Sequence, residues 1–328
     1  MRAFLFGFPA VSGRMHLSTG TKPKQHGLRR QAIRTTLSQR LKEGVFFLDG
    51  AMGTQLFARG IQPGQCVERL NAERAELVAE VHRGYLNAGV DAVLTNTFGG
   101  NSISLGRHRL ADKTEHLNRA AAELARREAG EDRWVLGDIG PCGDFLEPLG
   151  MLQKADLKNA FGRQVRGLLE GGVDGLLIET MTALEEIETA VEAIQELTDL
   201  PILVSLAFDP AGQGFRTMMG VSPARAVERL VSRGITALGF NCGTLDMPDY
   251  VWLARELADR LTSKGVLLLA EPNAGRPRLE GSSAVYDLSP EDFAEGLEQI
   301  YRAGAVILGG CCGTTPRHLA VAVKRLRG

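Results

Sequence analysis

Residues 175–208 read GLLIETMTALEEIETAVEAIQELTDLPILVSLAF, and this stretch decides the fold. It begins with an apolar run at Gly175–Glu179 and ends with a second one at Ile202–Phe208. Between them, Ala183–Leu197 repeats apolar residues every three or four positions. The outer runs have the length and the nearly continuous apolar character of parallel strands buried on both faces, whereas the middle segment has the period of an amphipathic helix. The stretch therefore predicts two parallel strands joined by a helix.

The same alternation extends in both directions and occurs eight times between residue 44 and the end of the sequence. The predicted strands are Val45–Asp49, Ala92–Asn96, Trp134–Asp138, Gly175–Glu179, Ile202–Phe208, Ala237–Asn241, Val266–Glu271 and Ala305–Gly309. Eight such units predict an α/β protein with one domain, a TIM (β/α)8 barrel. A doubly wound open sheet is the alternative, but its Gly-x-Gly-x-x-Gly motif does not follow the first predicted strand.

Composition indicates a globular chain without a membrane span. Of the 328 residues, 44% are hydrophobic and 23% are charged, which is enough to build a full core. No apolar run approaches the roughly 18 residues that cross a bilayer. The five cysteines are an odd number spread thinly, so a disulfide framework is not expected and a reducing, cytoplasmic location is predicted.

Residues 1–42 differ in composition from the rest. They contain nine Lys or Arg and no Asp or Glu, which leaves residues 43–328 with a net charge of −10. Such a leader resembles an organelle transit peptide, but we favour a disordered arm or a non-native start. Residues 43–328 are predicted to be the barrel domain. Its acidic charge argues against a nucleic-acid partner, because phosphate binding needs clustered positive charge.

Polar residues and cysteines fall at the carboxyl ends of the predicted strands. That end of a (β/α)8 barrel carries the active site in essentially every characterised enzyme of this fold. The residues placed there are Asp49, Asn96, Asp138, Glu179, Asn241, Cys242, Glu271, Asn273, Cys311 and Cys312.

The three cysteines at these strand ends predict a metal site. Cys242 ends the sixth strand, and Cys311 and Cys312 follow the eighth, so barrel closure brings them close together. Three cysteine ligands with one open position are typical of catalytic zinc. A redox-active vicinal disulfide and simple packing are the alternatives, and packing explains Cys66 and Cys142 adequately.

Zinc that three thiolates already neutralise is a poor Lewis acid for carbonyls, but it can bind and deprotonate a fourth thiol. The predicted nucleophile is therefore the sulfur of a substrate thiol. We predict that Asp49 and Glu179 bind an ammonium group of that substrate. Backbone amides of the turn that begins at Gly50, Ala51 and Met52, or the helix start at Thr315-Pro316, could hold a carboxylate. Asn96 is also assigned to the substrate site.

Seven motifs together resemble the homocysteine S-methyltransferase family from about Phe46 onward. They are Asp49-Gly50-Ala51-Met52-Gly53-Thr54, Thr95-Asn96-Thr97-Phe98, Gly137-Asp138-Ile139-Gly140-Pro141, Glu179-Thr180, Gly239-Phe240-Asn241-Cys242, Glu271-Pro272-Asn273-Ala274-Gly275 and Gly309-Gly310-Cys311-Cys312-Gly313-Thr314-Thr315-Pro316.

The resemblance implies that zinc is bound by Cys242, Cys311 and Cys312, with homocysteine sulfur in the fourth position. It also implies that Asp49 and Glu179 contact the homocysteine amino group and that the turn after Asp49 lies near its carboxylate. Asn273 matches a residue that ligates zinc in some members when substrate is absent.

Within the family, the segments Glu271–Gly275 and Glu68–Asn71 look like the homocysteine module of cobalamin-dependent methionine synthases. The implied methyl donor is methylcobalamin on a separate corrinoid protein or on further modules, because the chain has no Asp-x-His-x-x-Gly cobalamin signature. Betaine, S-methylmethionine or another onium donor is the alternative, although the aromatic cage that suits a quaternary ammonium is not apparent. Two readings from other classes stay open: a non-catalytic thiol or metal redox sensor, and a metal-free aldolase or synthase that uses Asp49 and Glu179.

Overall fold

The computed structural model describes residues 35–281 and 283–328. Twelve strands lie in this part of the chain, and eight of them form one parallel sheet. In chain order the strands are β1 (Phe46–Phe47), β2 (Ala92–Leu94), β3 (Trp134–Ile139), β4 (Gly175–Met181), β5 (Ile202–Leu206), β6 (Asp209–Ala211), β7 (Gly214–Arg216), β8 (Ala237–Asn241), β9 (Leu267–Glu271), β10 (Arg278–Glu280), β11 (Ser283–Val285) and β12 (Ile307–Leu308).

The eight-stranded sheet curls into a nearly closed barrel. Its order is β1-β12-β9-β8-β5-β4-β3-β2. Barrel strands that follow one another in the chain therefore pair, and the last strand, β12, pairs with the first, β1. The exception is β1 and β2, which form no ladder with each other. There the Asp91 amide donates to the Phe47 carbonyl at 2.8 Å, and the Leu94 amide donates to the Asp49 carboxylate at 3.1 Å. The predicted TIM barrel is confirmed, and each of the eight predicted strands overlaps an observed one.

Helices follow the strands and surround the barrel. They are α1 (Leu37–Arg40), α2 (Gly53–Phe57), α3 (Leu70–Glu73), α4 (Ala75–Asn87), α5 (Ser102–Gly106), α6 (Thr114–Ala129), α7 (Lys154–Glu170), α8 (Leu184–Gln195), α9 (Pro223–Leu230), α10 (Met247–Leu261), α11 (Pro290–Arg302) and α12 (Pro316–Arg327). Short 3-10 turns occupy Val67–Arg69, Ala111–Lys113 and Val231–Arg233. Within the described residues, no helix is long and apolar enough to cross a membrane.

The pleat of the strands divides the core into two layers. Phe46 belongs to a cluster that also contains Leu136, Leu177 and Leu269, one side chain from each of several strands, as expected for the filled interior of a barrel. Its neighbour Phe47 points the other way, into the larger cluster between strands and helices. Because both faces of the strands are buried, the strands are apolar at almost every position.

Helix α1 differs from the expectation for the leader. Leu37 and Leu41 are buried in the inner cluster, and the Arg40 guanidinium donates to the Val45 carbonyl and to Asp91. Residues 36–42 therefore pack against the barrel, and the packed region begins before residue 43. Residues 1–34 of the predicted leader lie outside the described part of the chain, so its assignment stays a prediction.

Two antiparallel hairpins extend the face that carries the carboxyl ends of the strands. The hairpin β6–β7 follows β5, and β10–β11 follows β9. Both lie in stretches that the sequence indicates only as irregular loops, because strands of three residues are too short to show a periodic pattern.

Candidate metal and substrate site

Three cysteines meet at the carboxyl-terminal face of the barrel. Cys242 follows β8, and Cys311 and Cys312 lie in the loop after β12. Their Sγ atoms all lie within 4.8 Å of one another. Cys242 has a φ of +53°, an unfavourable value for a residue with a side chain, so the surrounding structure must hold this turn in place. The predicted convergence of the cysteines is present.

The sulfur cluster has the chemistry of a metal site. Hydrogen bonds from the Cys242 and Cys311 thiols lower the pKa of Cys312 to about 3, and the hydrogen bonds of Cys311 with Cys242 and Cys312 raise the pKa of Cys311. The cluster therefore contains one thiol, Cys312, that is ionised at neutral pH. Ligand sulfurs on tetrahedral zinc with bonds of ~2.3 Å would lie roughly 3.8 Å apart. This separation is below the 4.8 Å within which all three Sγ atoms lie, so the cluster can hold such an ion.

Neighbouring strand ends hold the cysteine loops in place. The Cys311 amide donates to the Pro272 carbonyl at 2.9 Å, and the Ala274 amide donates to the Cys312 carbonyl at 3.0 Å. The Tyr250 hydroxyl, from α10, donates to the Cys242 carbonyl at 2.6 Å. Asn273, in the loop after β9, also donates from its side chain to the Gly243 carbonyl at 3.0 Å, so this loop contacts both cysteine-bearing loops.

Asn241 links the cysteines to the carboxylate side of the site. It is fully buried, and its Nδ2 lies 2.6 Å from the Thr180 hydroxyl, 3.2 Å from Glu179 and 3.6 Å from the Cys311 sulfur. Its Oδ1 accepts from the Thr180 amide and from the Ser205 hydroxyl. The sequence places Asn241 at the end of the sixth predicted strand but gives it no role in binding metal or substrate. Its position directly before Cys242 was the usable signal.

Three buried carboxyl groups, Asp49, Asp138 and Glu271, and the partly buried Glu179 lie around the mouth of the barrel. Burial raises the pKa of Asp49, Asp138 and Glu271 well above the usual range of carboxyl groups, and the charge of Glu179 adds to each shift. Burial and the Cys312 sulfur raise the pKa of Glu179 to about 7. One oxygen each of Asp49, Asp138 and Glu271 has no hydrogen-bond partner among the described residues. This arrangement favours a cationic group as ligand, since a cation offsets the burial of carboxylates.

The turn after Asp49 is placed beside the cysteine loop. The Gly310 amide donates to the Asp49 carbonyl at 3.0 Å, and the Ala51 amide donates to the Thr314 hydroxyl at 3.1 Å. Within the described residues, the amides of Gly50 and Met52 make no hydrogen bond to other parts of the chain. Two of the three predicted turn amides are therefore available to a ligand, whereas that of Ala51 is already used.

The two predicted asparagines have different environments. Asn96 donates from Nδ2 to the Val67 carbonyl at 2.8 Å and to Asn71 at 3.0 Å, so its NH2 group contacts both the 3-10 turn at Val67–Arg69 and α3. Its predicted contact with substrate stays a prediction. Asn273 is fully buried, donates to the Gly243 carbonyl, and leaves its Oδ1 without a partner in the described structure.

A cavity of about 550 Å³ lies beside the mouth, between the loop after β3 and the end of the β6–β7 segment. Phe145, Leu149 and Met218 are exposed and line it together with Glu147 and Glu185, and no Lys or Arg of the described residues lines it. Its lining is apolar with an acidic edge.

Comparison with known proteins places these residues in a family. A family model described as homocysteine S-methyltransferase matches residues 46–326. The chain is 34% identical to the methionine synthases of Mycobacterium tuberculosis and Mycobacterium leprae, over 316 and 315 residues. These matches cover 89% and 88% of this chain but only 25% of each relative, so the chain spans about a quarter of their length.

The fold is also that of a solved relative. The metallated form of the homocysteine methyltransferase MmuM from Escherichia coli superimposes with a TM-score of 0.72 at 24% identity, covering 88% of this chain and 99% of that one. Its oxidized form gives a TM-score of 0.71 at 23% identity. With the family model spanning nearly the whole barrel, the chain belongs to the homocysteine S-methyltransferase family of methyltransferases.

Proposed function

We propose that this protein methylates the sulfur of homocysteine to form methionine, with the sulfur activated by zinc held by Cys242, Cys311 and Cys312. The observation that carries the proposal is the meeting of three Sγ atoms within 4.8 Å, next to buried carboxylates, on the catalytic face of the barrel. When bound, zinc supplies the charge that deprotonates a coordinating thiol at neutral pH. Because all five cysteines are free thiols, we assign the reaction to a reducing compartment, the cytoplasm.

The carboxylate side of the site binds the amino-acid part of homocysteine. The Asp49 carboxylate has one oxygen without a partner in the described structure, and Glu179 is held by the Asn241 amide. An ammonium group between them would favour the ionised form of both. The Gly50 and Met52 amides, in the turn that starts beside Asp49, are the donors for the substrate carboxylate. Asn273 Oδ1 is the additional oxygen that can face the metal before substrate binds.

The methyl transfer needs positioning more than acid-base catalysis. The homocysteine sulfur, once deprotonated, forms a bond to the methyl carbon while the bond from that carbon to its carrier breaks and the carrier keeps the electron pair. The thiol proton leaves to solvent. Holding homocysteine at both ends gives its sulfur one direction of attack, which is a large contribution to the rate of a bimolecular step.

We infer that the methyl group comes from methylcobalamin, on a separate corrinoid protein or on further modules. The support is the resemblance of Glu271–Gly275 and Glu68–Asn71 to the homocysteine module of cobalamin-dependent methionine synthases. The chain also matches one quarter of two methionine synthases. A second donor class is favoured by the apolar, acidic cavity beside the mouth, which suits a small sulfonium or quaternary ammonium compound.

A donor assay tests the proposal. The zinc-loaded protein is incubated with homocysteine in three reactions, each with one donor: methylcobalamin, S-methylmethionine or betaine. The methionine formed is measured by mass spectrometry. We expect methionine with methylcobalamin, and none from the Cys311→Ser variant. If methionine forms with S-methylmethionine or betaine but not with methylcobalamin, the methyl donor belongs to the second class. Absence of methionine with every donor would contradict the proposed function.

A further inference from the structure

Thr314 fills the space between two glycines that belong to different halves of the site. A Cβ atom added at Gly50, in the turn after Asp49, would lie 2.4 Å from the Thr314 hydroxyl oxygen. A Cβ atom added at Gly310, in the cysteine loop, would lie 2.6 Å from the Thr314 methyl group. Both distances are far below contact distance, so both positions accept only glycine without rearrangement. Thr314 is fully buried between the two loops.

Hydrogen bonds from Thr314 reach both loops as well. Its hydroxyl donates to the Cys311 carbonyl at 2.7 Å and accepts from the Ala51 amide at 3.1 Å. The hydroxyl is therefore used once as donor and once as acceptor. It is a direct link between a cysteine of the sulfur cluster and the turn beside Asp49.

Tyr85 also contacts both loops. It is fully buried on α4, and its hydroxyl lies 3.0 Å from the Ala51 carbonyl and 3.1 Å from the Thr314 carbonyl. Gln55 adds a longer contact of 3.4 Å to the Thr314 carbonyl. The turn at Ala51 and the end of the cysteine loop are thus joined by both main-chain and side-chain groups.

We propose that Thr314, supported by Tyr85, is a positioning residue that sets the separation between the cysteine cluster and the substrate-binding turn, and thereby selects homocysteine over the shorter cysteine. This inference rests on the proposed function, in which homocysteine is held by its sulfur at one loop and by its amino-acid group at the other. Cysteine has one methylene fewer, so a separation fixed to suit homocysteine disfavours it. If the link between the loops is rigid, the distance between them is fixed, and the longer homocysteine is selected over cysteine.

The physical expectation is a loss of substrate binding without a loss of metal. Thr314→Val keeps nearly the same volume but removes the hydroxyl, so the partly buried Ala51 amide loses its acceptor and the turn can shift. An unpaired buried amide is unfavourable by ~1–3 kcal/mol, which corresponds to about 5- to 150-fold in an equilibrium constant. The three cysteine ligands remain, so zinc is retained.

The test compares Thr314→Val with Thr314→Ser and with the control Thr114→Val. Thr114 is also fully buried, and its hydroxyl also donates to a carbonyl three residues earlier, at 2.8 Å, but at the start of α6. The measurements are zinc content, KM and kcat for homocysteine, the ratio of kcat/KM for homocysteine to that for cysteine, and hydrogen exchange of the peptide containing Ala51.

For Thr314→Val we expect a KM for homocysteine raised about tenfold, kcat within about threefold, full zinc content, a lower homocysteine-to-cysteine ratio and faster exchange at Ala51. Thr314→Ser and Thr114→Val should stay within about twofold of wild type in KM. An unchanged KM and ratio in Thr314→Val, an equal change in Thr114→Val, or loss of zinc from Thr314→Val would overturn the proposal.

Hydrogen exchange separates this inference from the proposed function. If the wild-type protein forms no methionine, the proposed function fails and the selection of homocysteine fails with it. Faster exchange at Ala51 in Thr314→Val would then still establish the link between the loops. If wild type is active and exchange at Ala51 does not change, only the role of Thr314 is refuted.

Discussion

Replacing Cys311 by serine is expected to abolish zinc binding and methyl transfer together. A serine hydroxyl is a much weaker ligand for zinc than a thiolate, and two cysteines alone do not make a catalytic site of this type. Removing a group that hydrogen-bonds to a metal ligand reduces metal affinity or activity roughly 10- to 100-fold. Removing a ligand itself should therefore reduce turnover by at least about 1,000-fold. Zinc content, measured by mass spectrometry of the purified protein, should fall from about one to below about 0.1 per chain.

Cys66→Ser is the matched control for this variant. Cys66 is buried, and its thiol donates to Glu68 at 3.1 Å, a contact that a serine hydroxyl can reproduce. Zinc content and turnover should therefore stay close to wild type. A metal-free aldolase or synthase would keep its activity in Cys311→Ser. A redox sensor would instead show a disulfide among the clustered cysteines and little zinc in wild-type protein purified without oxidant.

Replacing Glu179 by glutamine is expected to weaken homocysteine binding while zinc stays in place. The glutamine carbonyl can still accept the hydrogen bond from Asn241, so the main change is the loss of negative charge. Hydrogen bonds to charged groups contribute ~1.5–3 kcal/mol, so the KM for homocysteine should rise about 10- to 150-fold. Steady-state kinetics and zinc analysis of the same preparation measure both effects.

Glu188→Gln provides the comparison for the loss of a buried carboxylate elsewhere. Glu188 is buried on α8 and accepts from Arg229 at 2.9 and 2.8 Å. Its variant should lose some stability and keep the KM for homocysteine. If Glu179→Gln has a wild-type KM, Glu179 does not bind the amino group.

The barrel was predictable because each strand is buried on both faces. Ala237–Asn241 was predicted with the observed bounds. Its Ala237 side chain belongs to the inner cluster, and Leu238 and Phe240 belong to the cluster between strands and helices. The first and last strands are shorter than predicted, at Phe46–Phe47 and Ile307–Leu308, because apolar character marks burial and does not show where ladder hydrogen bonds end. Helix α1 was missed since it lies in a basic segment and inserts only Leu37 and Leu41.

The cysteine cluster was predictable from barrel geometry alone, since the sixth and eighth strands are separated by one strand. The residues that hold the cluster were harder to predict. Tyr85 lies 34 positions from Ala51, on a helix where an aromatic residue normally indicates core packing. Tyr286, whose hydroxyl helps to lower the pKa of Cys312, follows a hairpin that has no periodic signal. Such contacts depend on how loops from different strands meet, and that information is not local in sequence.

The coordination of zinc by substrate sulfur is the central claim, and X-ray absorption at the zinc edge tests it most directly. Zinc in the free protein should show three sulfur ligands and one lighter ligand, at a zinc–sulfur distance of ~2.3 Å. Addition of homocysteine should replace the lighter ligand by a fourth sulfur. A protein that binds no zinc, or a zinc whose three-sulfur environment is unchanged by saturating homocysteine, would contradict the account.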